Sequence, residues 1–365
     1  MPQFHRIKEN DKWWGKGFTE WTNIKKAKPL FSGHYQPRIP LKEYLGYYHL
    51  TDSEVIKKQV KLAKSHGIYG FGIYYYWFSG KRLLEKPLDI FLNNKDIIFN
   101  FLLIWANENW TRKWDGKEKD ILMKQEYKAD DAIYFIKDIQ KYLKDDRYIK
   151  INGKHVIGIY EPLKIKNKIE FISTWRKKSK EFGIGELYII VRGEGDDFSY
   201  LKKQRIFDAA FQFSPRDSLI YPIKDSIYYL YTAILYKEHK IQKDLDFYKG
   251  SMLNFDNSPR KKEEYAIFKY YFPEEFYIIN NNNINWTKKQ YNKINQFIFI
   301  NAWNEWGEGT YLEPDKKYGY ASLNALSKAI FNLSYIQLNH NFISFKKRSK
   351  IAIQVHVFYI IKYIC

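Results

Sequence analysis

The sequence predicts an α/β fold, a (β/α)8 barrel of the TIM type, on three observations. Short apolar runs recur along most of the 365 residues. Polar stretches of helical periodicity separate several of them, the signature of βα units that build a parallel sheet. Many of the runs also end in acid, amide or aromatic residues, and the C-terminal strand ends are where such a barrel carries its chemistry.

Taken in order, the candidate strands are Pro2–Phe4, Gly67–Trp77, Asn100–Ala106, His155–Tyr160, Leu187–Arg192, Phe207–Phe213, Ser251–Phe255 and Phe297–Trp303. The first is expected to be truncated, because a strand usually needs about five residues. The second runs into Tyr74, Tyr75, Tyr76 and Trp77, and the third into Trp105, Asn107, Glu108, Asn109 and Trp110. The fourth ends in Tyr160 and Glu161, the fifth in Arg192 and Glu194, and the sixth reaches Gln212 and Arg216. Asp256 and Asn257 close the seventh; Asn304, Glu305 and Glu308 close the eighth. Between strands, Ser53–His66 sets Val55, Ile56, Val60, Leu62 and Ala63 near one helical face. Asp130–Leu143 starts acidic and ends among lysines, as helix ends prefer. Residues 1–335 are read as the barrel and 336–365 as a short extension, the tail or opening of a truncated second domain.

Composition removes several classes. With 45% hydrophobic and 19% aromatic residues the chain is not disordered. Its net charge of +20 comes from lysines scattered along the whole length. That pattern fits a solvated surface better than a nucleic-acid footprint, and no nucleic-acid motif is present, so no nucleic-acid partner is expected. A weak pull toward an anionic, membrane-bound donor or acceptor remains. Cys365 is the single cysteine, so there is no disulfide framework. The N-terminus has no apolar signal region, and no run approaches the roughly 20 apolar residues of a membrane-spanning helix.

The chemistry concentrates in residues 297–309, FIFINAWNEWGEG. An apolar run stops at two carboxylates, Glu305 and Glu308, set among Trp303 and Trp306. Two acids on a rigid element, walled by indoles, suit sugar chemistry, because neighbouring carboxylates divide into an acid and a base near neutral pH. The plainer alternative makes one Glu a loop residue or an ion-pair partner. Glu108 is placed to hydrogen-bond sugar hydroxyls or to pair with Arg112. Trp105, Tyr74, Tyr76 and Trp77 are candidates to line a sugar pocket, with one or two of these rings packing on the barrel wall instead. Trp14, with Trp13 and Trp21, either forms a subsite or caps the barrel. His5 and His34 are read as structural. No His/Cys/Asp cluster has metal-ligand spacing and no glycine loop is built for phosphate, so neither metal nor cofactor is expected.

Several segments carry a resemblance to a known family. They are PQFH at 2–5, ENDKWWGKGFTEW at 9–21, GHYQPRIP at 33–40, GFGIYYYWFSGKRLLEKPL at 70–88, WANENWTRKWDG at 105–116 and WNEWGEGTYLEPD at 303–315. Together they resemble the WbsX-like glycosyltransferase family, related to family 99 glycoside hydrolases, which act as endo-α-mannosidases. The resemblance implies a (β/α)8 barrel working in bacterial surface-polysaccharide (O-antigen, lipopolysaccharide) assembly. It implies glycan or sugar donors and acceptors as partners, with membrane-surface association through a lipid-linked glycan. The absent signal region then points to the cytoplasm, with peripheral attachment at the inner membrane. By the same resemblance Glu305 is a base on the sugar 2-hydroxyl, closing a 1,2-anhydro ring, and Glu308 is the acid/base at the leaving oxygen. A covalent intermediate on one Glu is the other retaining route. A retaining endo-glycosidase and a non-catalytic glycan-binding barrel are the alternative readings.

Overall fold

The computed structural model describes residues 2–112, 117–193, 203, 205–213, 222–224, 227–229, 245–261, 263, 265–269, 272–332 and 356–360. Glu194, Arg216 and most of the 336–365 extension lie outside them.

The architecture is α/β around a mostly parallel central sheet. Its strands are β1 (Gly70–Phe78), β2 (Asn100–Trp105), β3 (Lys154–Ile159), β4 (Leu187–Arg192), β5 (Ala209–Phe211), β6 (Asp246–Tyr248), β7 (Gly250–Met252), β8 (Phe297–Asn301) and β9 (His356–Ile360). They lie in the order β6-β5-β4-β3-β2-β1-β9-β8-β7, and every neighbouring pair in that order is parallel. The first and last strands of the order, β6 and β7, are separated in the chain by Lys249 alone. β9 sits between β1 and β8, pairing Gly70 with Phe358 and Phe299 with Phe358.

The strands are apolar on both faces, as a parallel sheet covered by helices requires. The covering helices include α3 (Ser53–Ser65), α5 (Asp131–Leu143) and α6 (Lys168–Glu181), after α1 (Lys8–Trp14), α2 (Glu20–Lys26) and before α7 (Pro273–Gln290) and α8 (Ala321–Phe331); α4 is Lys86–Asn93. Asp52 caps α3 by accepting from the Glu54 amide at 2.9 Å. The expected face of α3, Val55, Ile56, Val60, Leu62 and Ala63, is buried. Gly250 is fixed by close approach: a Cβ there would stand 2.1 Å from the Gln212 carbonyl oxygen.

Two expected elements differ. Pro2–Phe4 is a 3₁₀ turn and not a strand. Its residues are held by side-chain packing, with Phe4 against Trp21 at 4.3 Å and Tyr48 at 5.6 Å. The seventh strand covers Asp246–Met252 with a break at Lys249, upstream of the expected Ser251–Phe255. Asp246 and Lys249 interrupt its apolar run, which hid it.

Period-two alternation sorts the tyrosine-rich β1. Tyr75 and Trp77 face the helix layer, where both pack on Phe135 of α5. Tyr74 and Tyr76 face the other side, meeting Tyr160 at 5.5 Å and Trp110 at 5.1 Å.

Candidate active site

Glu305 and Glu308 occupy a tight hairpin just beyond β8. Asn304–Glu305 pairs antiparallel with Thr310–Tyr311, and a 3₁₀ turn, Trp306–Glu308, joins them. Gly309 ends that turn at φ 66°, a conformation that suits glycine. The hairpin is sunk in the protein: Glu305 is 0% exposed and Glu308 4%. Charges so deeply buried require partners.

The partner of both is Arg260. Its Nη2 donates to Glu305 at 2.5 Å, its Nη1 to Glu308 at 2.8 Å, and its Nε to Glu20 of α2 at 3.0 Å. Gln3 adds a weaker donor to Glu305 at 3.3 Å. Three carboxylates thus converge on one planar guanidinium, whose five donors in fixed geometry suit the task. Burial alone would lower the Arg260 pKa; the charges of Glu20, Glu305 and Glu308 more than offset it and hold it well above the usual value. The sequence reading missed Arg260 and Glu20, which lie 45 and 285 residues from Glu305 respectively by subtraction of their numbers.

Glu313 holds the walls. Its carboxylate accepts from Trp303 Nε1 (3.1 Å), Trp306 Nε1 (2.7 Å), Tyr48 Oη (2.8 Å) and Gln59 Nε2 (2.7 Å). Trp306 stacks on Tyr311 at 3.7 Å. Trp303 and Trp306 are therefore buried walls beside the acids, 1% and 0% exposed.

A second charged cluster adjoins Glu308, whose carbonyl accepts from the Asp256 amide at 2.6 Å. Asp256 accepts from His34 Nε2 (2.8 Å), Gln36 Nε2 (2.7 Å) and Ser258 Oγ (2.6 Å), with Arg38 at 3.5 Å. The Leu30 amide donates to His34 Nδ1 at 3.1 Å, so the ring proton sits on Nε2 and points at Asp256. Both nitrogens are committed, and His34 is structural. Burial pushes the Asp256 pKa up, but the His34 hydrogen bond and the Arg38 charge outweigh it and bring it down to about 2. A carboxylate depressed from 3.8 to about 2 stabilises the fold above pH 4 and loses that contribution as pH falls toward 2. The loss is about 2 kcal/mol. Thermal unfolding between pH 2 and 5 is expected to show this slope in the wild type and to lack it in Asp256→Asn.

The remaining candidates separate into two groups. Trp77 and Trp105 lie under the helices: Trp105 donates to the Trp77 carbonyl at 3.2 Å and packs on Phe135 at 4.7 Å and Trp175 at 5.6 Å. They are not brought to the acids. Tyr74, Tyr76 and Glu108 stand on the inner side. The Tyr160 hydroxyl, buried and hence raised in pKa, is raised further by the charges of Glu108, Glu161 and Glu308 and opposed by Arg192. It adjoins a second group, in which Arg192 donates to the Tyr160 carbonyl at 2.9 Å and to Glu161 at 2.5 Å. Glu108 stands 3.8 Å from Lys164. Trp14 is half-buried at the rim, stacked on Phe18 at 5.2 Å and edge-on to Trp13 at 5.6 Å.

An α/β fold with a mostly parallel sheet thus carries two buried acids on a hairpin at a strand's C-terminal end. The family model for glycosyltransferase WbsX matches residues 1–326, and the chain belongs to that family. It is 35% identical over 343 residues to the protein WxcX of Xanthomonas campestris pv. campestris, a match covering 90% of this chain and 48% of WxcX. The chain thus spans about half the length of the curated relatives it matches. Among solved structures, a glycoside hydrolase-like protein superposes with TM-score 0.57 at 14% identity, covering 82% of this chain and 91% of that one. The GH99 endo-alpha-mannosidase from Bacteroides thetaiotaomicron superposes with TM-score 0.53 at 12% identity, covering 90% and 94%. At such identities these two speak for the fold alone. Among the described residues, no helix is long and apolar enough to cross a membrane.

Proposed function

We propose that this chain is a glycosyl-transferring enzyme of bacterial surface-polysaccharide assembly that works through Glu305 and Glu308. The observation that supports the proposal is the placing of both carboxylates on one buried hairpin at the C-terminal end of β8; their ion pairs to Arg260, the plainer reading of either Glu, hold them there. A closed eight-stranded (β/α)8 barrel is the architecture we infer. It is supported by the two ends of the sheet order meeting at Lys249 within the segment Asp246–Met252. Residues 1–335 would supply seven of its strands and His356–Ile360 the eighth, between β1 and β8. Its site of action would be the cytoplasmic face of the inner membrane, on a lipid-linked glycan.

The chemistry follows the resemblance set out above. Glu305 takes the proton of the sugar 2-hydroxyl as O2 closes onto C1, while Glu308 protonates the departing oxygen and the C1–O bond breaks. In the second half Glu308 removes the acceptor's proton, the acceptor oxygen bonds to C1, the C1–O2 bond opens and Glu305 returns its proton to O2. Each proton lent is recovered, so the cycle balances. Tyr74, Tyr76 and Glu108 are assigned to the sugar, Trp14 to an outer subsite, and Trp303 and Trp306 to the dry walls. An acceptor of water instead of sugar would make the same site an endo-glycosidase.

The test is glycan analysis of cells carrying wild type, Glu305→Gln or Glu308→Gln in a deletion background. Each variant is expected to stay folded and to lose the polysaccharide. A normal polysaccharide with both variants would sink the catalytic assignment and leave a binding role.

A further inference from the structure

We propose that a lysine-rimmed pocket beside Glu108 binds the phosphate or diphosphate end of a sugar substrate. The pocket, about 510 Å³, is lined among others by Asn107, Glu108, Lys124, Lys128, Lys164 and Lys166. Those residues come from three separate stretches: the turn after β2, the segment after the Lys117–Met123 strand and the segment after β3. All three follow parallel strands or their hairpin on the side where Glu305 and Glu308 follow β8. The pocket and the acids therefore lie at the same end of the sheet.

Charge separates the two regions. The inner site holds Glu20, Glu161, Glu305 and Glu308 against Arg192 and Arg260, so acids outnumber bases there. A phosphate placed on that floor would meet net negative charge at short range. The rim has the opposite balance, with four lysines against Glu108 and Glu126. Its ion pairs are loose: Lys124 stands 3.7 Å and Lys128 3.3 Å from the same Glu126, and Lys164 3.8 Å from Glu108. Charge-assisted hydrogen bonds ordinarily close to about 2.7–2.9 Å. These ammonium groups thus retain donors to offer an incoming oxyanion. The fitting substrate is a sugar that is neutral at the reacting ring and anionic in its tail. This inference rests on the glycosyl-transfer reading and adds the class of leaving or carrier group.

The test uses the full chain and inorganic pyrophosphate at low salt, followed by calorimetry. Wild type is expected to bind, and Lys124→Glu/Lys164→Glu to bind at least tenfold more weakly, with Lys124→Arg/Lys164→Arg close to wild type. Lys137→Glu/Lys144→Glu, in a separate groove along α5, is expected to behave as wild type. Equal affinity in the charge-reversed and wild-type proteins, or no binding by wild type, overturns the proposal. The source is then read in two arms. Binding of UDP at least tenfold tighter than that of pyrophosphate identifies a nucleotide carrier. Capture on phosphatidylcholine vesicles only when they contain a polyprenyl diphosphate identifies a lipid carrier. Glu308→Gln protein should bind pyrophosphate normally, so failure of the catalytic reading and failure of this pocket give different results.

Discussion

Arg260→Met is expected to destabilise the fold by about 3–5 kcal/mol and to abolish activity. The change leaves Glu20, Glu305 and Glu308 buried, at 0%, 0% and 4% exposure, without their shared cation. Breaking a buried ion pair by removing one partner costs about that much, because an uncompensated charge remains in a low dielectric. Urea unfolding at pH 7 measures it. Two further variants identify the cause. Arg260→Lys keeps the charge but cannot spread donors to three carboxylates at once, so it should fold and still lose most of its activity. Glu20→Gln in the Arg260→Met background removes one excess charge and is expected to recover part of the stability. If the double variant is as unstable as the sum of the two single changes, the charge argument fails and Arg260 matters only as packing.

Glu313→Gln is expected to cost about 2 kcal/mol at pH 7 and to lower activity, although Glu313 is not one of the acids proposed to react. Four donors converge on its two oxygens. An amide offers one oxygen and turns an NH₂ toward the donors at the other position, and each buried donor left unmatched costs about 1–3 kcal/mol. Trp303 and Trp306 would lose their shared anchor, and the hairpin carrying Glu305 would lose its fixed position. The pH dependence is distinctive. Burial raises the Glu313 pKa, and donors including Trp306, Gln59 and Tyr48 pull it partway back, to about 6. A carboxyl raised from 4.5 to about 6 stabilises the fold below pH 4.5 and loses that contribution as pH rises through 6. The amount is about 2 kcal/mol. Wild type should therefore lose that increment between pH 4.5 and 6, and Glu313→Gln should not. A variant slope parallel to wild type would assign the titration elsewhere.

The acid pair was legible because its two members and their tryptophans are neighbours in sequence, and local spacing is what a sequence displays. Tyr74, Tyr76 and Trp77 form one set of pocket candidates in the sequence, with one or two expected to pack on the wall, and period-two alternation shows which one does: Trp77 turns with Tyr75 onto Phe135. Arg260, Glu20 and Gln3 were not legible, because each reaches the site from a distant turn or helix. A lone charge in a loop looks alike whether it meets water or a buried carboxylate. Glu313 lay inside a quoted motif, yet only the fold shows that the indoles of Trp303 and Trp306 donate to it. Trp77 and Trp105 illustrate the opposite error. They sit at strand ends among aromatic residues, but their strand positions turn them toward α5 and α6, where apolar burial claims them.

The placement of β9 between β1 and β8 has a consequence for how the protein is made. β1 and β8 leave the ribosome well before residues 356–360 are synthesised, and until then their facing edges have no β9 to pair with. Unpaired parallel edges recruit other chains, and pairings between distant segments form slowly. A nascent chain of this protein therefore carries an open seam between β1 and β8 from the time β8 emerges until β9 follows, and slowing translation between residues 301 and 356 should lengthen the window in which chaperones bind it or in which it aggregates.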